Sequence, residues 1–307
     1  MRHLIWIGVF AWALLGGSYG AGPLFASEPI PIPYPEDSAD TTGEDADEDE
    51  RAPIDPLTAP LHFETPHITT NIRPVYLYHK FPETSVFKGG NVQVAAVQLR
   101  WAATDRLALI ATQDGFVDFN PDAGSDETGW MDLTAGAKYA VIQDEESGVT
   151  VTPGLTYQLT QGSRDVFQGN GEGVWRPFVS GALELEKVKL MANVGWNLPV
   201  DGSAESQFID YHLHASLDVH ERIVPLVELN GYTYTNGGRA LAANFEAVDY
   251  GNLGSNNVDG NDIITMGLGS RVRITDKIHF GAGYEFPLTE RRDIFGWRAT
   301  VDFVINF

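Results

Sequence analysis

The end of the chain alternates strictly between two kinds of side chain. From Phe295 to Phe307, one set of alternate positions is apolar and the other is mainly polar. The apolar positions are Phe295, Trp297, Ala299, Val301, Phe303, Ile305 and Phe307, and the others are Gly296, Arg298, Thr300, Asp302, Val304 and Asn306. A repeat of two residues is the spacing of a β-strand whose two faces meet different surroundings. The pattern therefore predicts a strand with one apolar face.

The same alternation recurs along most of the chain after residue 66. It is clearest at 188–198, 261–275 and 277–287. The complete set of predicted strands is 69–79, 91–103, 105–117, 130–143, 148–161, 173–186, 188–198, 206–219, 222–235, 261–275, 277–287 and 293–307. The connections alternate between tight turns, such as Thr104-Asp105, and longer loops, of which 237–260 is the longest. An even number of strands with short turns at one end and long loops at the other is typical of bacterial outer-membrane barrels.

The connection lengths separate a barrel from a soluble β-sandwich, which also alternates between two faces, and charge placement agrees with the barrel. By parity, the charges of the strands fall on the polar face, which lines the lumen of a barrel. The residues are Asp132, Lys138, Glu184, Lys189, Asp210, Arg271, Arg273, Arg298 and Asp302. We therefore predict an all-β fold, a transmembrane antiparallel up-and-down β-barrel of about 12 strands, which covers residues 67–307 and lies in Gram-negative outer-membrane lipid.

Two segments of different composition precede the predicted barrel. In residues 1–26, Arg2 and His3 come before an apolar run from Leu4 to Leu15, which is the order of a secretory signal peptide; a retained anchor is the alternative. Residues 27–66 are rich in proline and in acidic residues. Such a segment has too little apolar surface to offset the loss of backbone entropy, so we predict a disordered acidic leader in the periplasm. It would serve as a spacer, or as a tail that binds cations or a partner.

Composition excludes several functions. The formal net charge is −22 and the basic residues form no cluster, so we predict no nucleic-acid partner. The chain has no cysteine, which excludes disulfides, thiolate metal sites and cysteine nucleophiles. It also lacks a glycine-rich phosphate loop and a His-Glu-x-x-His sequence, so we predict no cofactor and no metal.

One predicted strand carries residues with catalytic potential. His212, His214, Ser216 and Asp218 share one face of the strand at 206–219, and Glu228 lies on the next strand. His214, Ser216 and Glu228 resemble the arrangement of outer-membrane lipid A deacylases, which implies Ser216 as nucleophile, His214 as base and Glu228 as the orienting residue. Parity directs the set toward the lumen and away from lipid, so we interpret it as a polar pore wall. A metal site on the two histidines is the other alternative.

Two further resemblances concern membrane assembly and transport. The final Phe307, with Ile305 and Phe303 before it, resembles the C-terminal signal of outer-membrane proteins, which implies the barrel-assembly machinery as a partner during insertion. The segments 132–139, 152–155 and 227–231 resemble the transporter family named for the meta-pathway of phenol degradation. That family implies passage of small or hydrophobic compounds and supplies no catalytic residues.

The sequence thus predicts a porin-like, non-enzymatic channel or transporter for the passive passage of small solutes, with hydrophobic or aromatic compounds among the candidates. Its selectivity is expected to depend on lumen charges and on the long loops, and the loop 237–260 is the candidate for a constriction. The predicted lumen-lining residues are Lys138, Lys189, Asp210, His212, His214, Glu228, Arg271, Arg273 and Arg298. The alternatives are a closed structural or surface-binding barrel and an outer-membrane lipid hydrolase.

Overall fold

The computed structural model describes residues 51–307, and these residues form one antiparallel β-barrel. Fifteen strands follow one another along the chain, with one short 3₁₀ helix (Arg164–Val166) in a loop. The strands are β1 (Asn71–Lys80), β2 (Gly90–Ala102), β3 (Leu107–Gln113), β4 (Phe116–Pro121), β5 (Glu127–Trp130), β6 (Leu133–Tyr139), β7 (Ile142–Asp144), β8 (Val149–Leu159), β9 (Val174–Glu184), β10 (Val188–Pro199), β11 (Gln207–Leu217), β12 (Ile223–Asn236), β13 (Asp262–Arg273), β14 (Ile278–Pro287) and β15 (Trp297–Asn306).

The fifteen strands form a barrel wall of twelve strands, because two of the wall strands are interrupted. Each of these twelve wall strands is called a stave here. Strands β3 and β4 both pair with β2 and form one stave, whereas β5, β6 and β7 follow each other along the next one. The break between β3 and β4 falls at Asp114-Gly115, where Asp114 accepts a hydrogen bond from the Val97 amide at 3.0 Å and Gly115 has a φ of +128°. A positive φ favours glycine, and an irregular residue bends a strand at such a point.

The barrel closes where the first strand meets the last. Strand β1 pairs with β2 on one side, with Asn71 opposite Arg100, and with β15 on the other, with Asn71 opposite Asn306. The predicted barrel of twelve antiparallel strands is therefore confirmed. Most strand limits lie within a few residues of the predicted ones, but the staves around 114–130 extend further than predicted, as the β4–β5 hairpin.

The two faces of the barrel follow the predicted alternation. On β10, Leu190, Val194 and Trp196 are exposed on the outside, whereas Met191 and Asn193 are buried inside. Hydrocarbon is the medium that accepts such an outer face, since the closed sheet satisfies its own backbone groups. The prediction for Phe295 is wrong: this residue precedes β15, is fully buried and packs edge-to-face on His79. Within residues 51–307, no helix is long and apolar enough to cross a membrane.

The largest difference from the sequence prediction concerns residues 51–66, which were assigned to the disordered leader. Most of these residues are buried inside the barrel, among them Leu57, Ala59 and Phe63 at 0% exposure. The prediction is wrong for this segment because its apolar side chains and its backbone both find partners in the lumen. The signal peptide and the acidic part of the leader lie outside the described residues, so they stay predictions.

The long loop between β12 and β13 folds inward, as expected for a constriction. Ala247, Tyr250 and Leu253 of this loop join a buried cluster that includes Leu61 and the wall residue Leu77. The loop also inserts a charge, because Asp249 forms a salt bridge with Arg298 of the wall. The lumen is therefore filled from both ends, by residues 51–66 from the short-turn end and by this loop from the other.

Candidate functional site

Residues 51–66, named here the plug segment, form a loop that folds back on itself inside the barrel. The Ala52 amide donates a hydrogen bond of 3.0 Å to the carbonyl of Asp276, which lies in a short turn. The segment turns back at its tip, where the Phe63 amide donates to the Ala59 carbonyl at 2.9 Å. It then returns to the short-turn end, where the Thr70 hydroxyl accepts a hydrogen bond from the amide of Ala102. The plug segment thus enters and leaves by the same end.

The first limb of the plug segment is held by charged side chains of the wall. Arg271 donates to the carbonyl of Asp55 at 2.6 Å and to that of Pro56 at 2.8 Å. Glu228 accepts from the amides of Leu57 at 2.8 Å and Thr58 at 2.7 Å. These contacts satisfy the backbone of a segment that has no secondary structure of its own, and buried backbone groups require such partners.

The second limb contributes a buried carboxylate. Glu64 faces Arg100 and Lys138, which are themselves buried. The carbonyl of Glu64 accepts from the Ser180 hydroxyl at 2.7 Å, and the carbonyl of Thr65 accepts from Lys138 at 2.7 Å. The plug segment therefore meets the wall on opposite sides of the barrel.

Eight of the nine predicted lumen residues are buried inside the barrel, and each makes a polar contact there. Lys189 is the exception, because it is half-buried and lines a cavity of about 450 Å³ at the short-turn end. The buried pairs are Lys138–Glu64, Asp210–Arg176, His212–Asp210, His214–Glu228, Arg271–Asp302 and Arg298–Asp249, and Arg273 pairs with the partly exposed Asp218. A role for these residues in selectivity stays a prediction.

Sequence reasoning missed several charged residues of the site. Arg73, Arg100 and Arg176 point inward from β1, β2 and β9, and Glu64 and Asp249 arrive from segments that are not strands. One signal was present in the sequence. After Arg51 the acidic run ends, and Ile54, Leu57, Leu61 and Phe63 follow within a few residues. Such a return of apolar residues is unusual for a solvated spacer.

Little space is left between the plug segment and the wall. The cavity lined by Leu61, Glu64, Arg176 and Phe178 measures about 20 Å³, which is room for about one water molecule. At this level of the lumen, the plug segment and the wall are in close contact.

The catalytic alternative lacks the contact that it needs. His214 Nδ1 lies 2.7 Å from Glu228 Oε1, as expected for an orienting pair. However, neither His214 Nε2 nor the Ser216 hydroxyl has a hydrogen-bond partner within residues 51–307, so the two groups are not joined. All three side chains are buried in the lumen rather than at the lipid face. The metal alternative also finds no support, since the described residues contain no cluster of three or more metal-binding side chains.

Comparison with known proteins shows the fold. No family model matches the chain, and no curated protein matches it. Among solved structures, an outer-membrane channel from Pseudomonas putida F1 is 16% identical, with a TM-score of 0.54, over 83% of this chain and 100% of that one. The KdgM porin is 9% identical with a TM-score of 0.47, over 76% of this chain and 99% of that one. LpxR from Salmonella typhimurium is 9% identical with a TM-score of 0.45, over 77% of this chain and 100% of that one.

The closed sheet, the apolar outer face and the fold shared with the Pseudomonas channel define the class of protein: the chain is an outer-membrane β-barrel. The more particular resemblance to the phenol-degradation transporter family stays a prediction.

Proposed function

We propose that this protein is an outer-membrane channel for the passive passage of small solutes, and that the plug segment closes it. The observation that carries the proposal is that the wall has glycines, which lack side chains, where the plug segment passes. A Cβ atom at Gly267 would lie 2.8 Å from the Cβ of Thr58, and one at Gly269 would lie 2.9 Å from Leu57 Cδ2. Carbon atoms in contact are about 3.5–4.0 Å apart. Glycine is thus the residue that leaves room for the plug segment.

Withdrawal of the plug segment would therefore leave an opening along β13 and β14. Small barrels of about eight strands fill their interior with side chains of their own wall. Here the volume is filled by a stretch of chain that belongs to no strand, so it can leave without breaking the sheet. The exposed wall would be polar, because Arg73, Glu228 and Arg271 would face the opening.

Water can replace the contacts that hold the plug segment in the lumen. Many of them are hydrogen bonds between its backbone and charged side chains of the wall, and each contributes about 1.5–3 kcal/mol net because water replaces it on release. Entering water would solvate the charged wall residues at the same time. The closed state is therefore the stable one, and opening requires water or a solute to replace these contacts.

A disulfide between the plug segment and the wall tests the proposal. The chain has no cysteine of its own, so Thr58→Cys with Gly267→Cys gives one defined pair. The two Cβ positions lie 2.8 Å apart, and a shift of about 1 Å brings them to the separation of about 3.8 Å in a relaxed disulfide. In a planar bilayer, we expect no current from the oxidised protein and discrete openings after a reductant is added.

The single variants Thr58→Cys and Gly267→Cys are the matched controls, and each should show the same openings before and after reduction. Steady current through the oxidised double variant would contradict closure by the plug segment. Silence of a folded, inserted barrel in every state would contradict the channel itself, and would support the closed structural or surface-binding barrel.

A further inference from the structure

Glu64 is bound by the wall in the manner of a ligand. Its Oε1 atom lies 2.9 Å from Arg100 Nε and 2.8 Å from Lys138 Nζ, and its Oε2 atom lies 2.7 Å from Arg100 Nη2. Arg100 therefore grips both oxygen atoms in the parallel geometry that guanidinium groups use to recognise carboxylates. All three side chains are almost completely buried.

Arg100 and Lys138 differ from the other buried cations in where their counter-charge comes from. Arg73 and Arg271 share Asp302, and Arg176 pairs with Asp210, so these arginines keep an acidic partner on the wall. Within residues 51–307, Arg100 and Lys138 form ion pairs with Glu64 alone. Withdrawal of the plug segment would thus leave Arg100 and Lys138 without a carboxylate in contact with them.

An apolar surface lies directly beside the two cations. Strand β3 runs between them, with Ile110 opposite Arg100 and Ala108 opposite Lys138. Phe178 packs against Ala108 and Ile110, and its ring covers Gly154, which is the residue opposite Lys138 on β8. An anion held by Arg100 and Lys138 would therefore have carbon surface next to it.

We propose that Arg100 and Lys138 form the solute-binding site of the open channel and that this site takes a small carboxylate with an apolar body. The carboxylate of Glu64 occupies the place of the solute carboxylate when the channel is closed. This inference rests on the proposed channel function and names its substrate class. Because Glu64 and the solute compete for one pair of cations, a carboxylate would favour the open state, since it binds that state alone.

Benzoate and benzyl alcohol test the inference, because they differ mainly in the charged group. The Glu64→Gln variant of the full chain removes the competing carboxylate. In a planar bilayer, we expect benzoate to block its current transiently, and benzyl alcohol at the same concentration to leave it unchanged. The double variant Glu64→Gln, Lys138→Gln should need at least tenfold more benzoate for the same block. Lys277→Gln in a short turn is the matched control and should behave like its parent.

The outcomes separate the site from the channel. Equal block by both compounds, or block that ignores Lys138→Gln, would overturn the site while leaving the channel intact. If no variant conducts, the site is tested by binding of 4-fluorobenzoate to the folded Glu64→Gln protein, which fluorine NMR measures. Binding that is lost with Lys138→Gln would support the site without passage, and absence of binding would reject it.

Discussion

At the scale of single residues, the lumen is a network of buried ion pairs in which a few carboxylates serve several cations. Asp302 accepts a hydrogen bond from Arg73 at 2.6 Å and another from Arg271 at 2.8 Å, and all three residues are at most 1% exposed. Both arginines also donate to the carbonyl of Pro56 at 2.8 Å. Asp302 therefore supports the wall and, through the two guanidinium groups, the plug segment.

Removing the charge of Asp302 should be costly. Asp302→Asn would leave Arg73 and Arg271 buried without a counter-charge, and breaking a buried pair costs about 3–5 kcal/mol. The free energy of unfolding, measured by denaturant titration in lipid vesicles, should fall by that amount. Asp262→Asn on the exposed start of β13 is the control, for which we expect a change below about 0.5 kcal/mol. A similar small change at position 302 would show that the network does not stabilise the barrel.

The sequence could predict which residues point inward but not which of them pair. Parity places Lys138, Asp210 and Arg271 correctly because it depends only on the strand repeat. Parity did not predict the inward position of Arg100, because the inward residues of β2 change along the strand from the apolar Val92 and Val94 to polar ones. The reason is physical: the inner face near the long loops packs on inserted protein, so apolar residues occur on both faces there.

At the scale of elements, the inserted loop between β12 and β13 is organised by carboxylates. Glu246 accepts hydrogen bonds from the amides of Leu253 and Ser255, both at 2.8 Å. Glu205, in the loop between β10 and β11, is buried, and its Oε2 atom accepts no hydrogen bond within residues 51–307. Burial, with smaller effects of Asp132, Asp201 and Glu246, raises the pKa of Glu205 to about 8.

This raised pKa predicts that the loops at this end loosen as the pH rises. The folded loop keeps the proton of Glu205 at a pH where the unfolded loop, with the ordinary pKa of 4.5, releases it. The contribution of Glu205 to the stability of the folded loop is therefore fully present below about pH 4.5 and is lost as the pH rises to about 8. Hydrogen-exchange protection of residues 237–260 should fall between pH 6 and pH 8, and Glu205→Gln should flatten this dependence. An unchanged dependence in Glu205→Gln, equal to that of the exposed control Glu290→Gln, would assign it to another group.

The sequence predicted regular elements better than irregular ones. Strands such as β12 and β14 were predicted almost to the residue, because alternation over a full strand is a strong signal. The plug segment was missed, since Pro53, Pro56 and Pro60 exclude regular structure and the segment follows an acidic run. What orders it is the wall of a barrel that is distant in sequence, and no local pattern can report such a partner.

At the scale of the whole molecule, the apolar outer face forms a belt around the barrel. Leu213 in the middle of β11 and Val219 just beyond its end are exposed to similar extents, 55% and 57%. They differ in depth, because one lies near the middle of a strand and the other at a short turn. Substitutions at these two positions therefore compare two depths of the hydrocarbon layer around the barrel.

Leu213→Arg should destabilise the inserted barrel more than Val219→Arg does. An arginine facing lipid costs about 2–4 kcal/mol at the midplane of a bilayer and about 0–1 kcal/mol near its surface. Unfolding titrations of both variants in the same vesicles give the difference directly. Equal effects at the two positions would mean that the belt is centred elsewhere than on the middle of β11.

The plug segment has a topological consequence, because both of its ends lie at the short turns, at Ala52 and Thr70. No terminus has to be threaded through the ring of strands to fill it or to empty it. Pairing of β1 with β15 can complete the ring while residues 51–66 are still outside, and the segment can fold in afterwards. For the same reason, a bulky object attached upstream of residue 51 would obstruct neither step. The geometry thus allows the ring to close before it is filled.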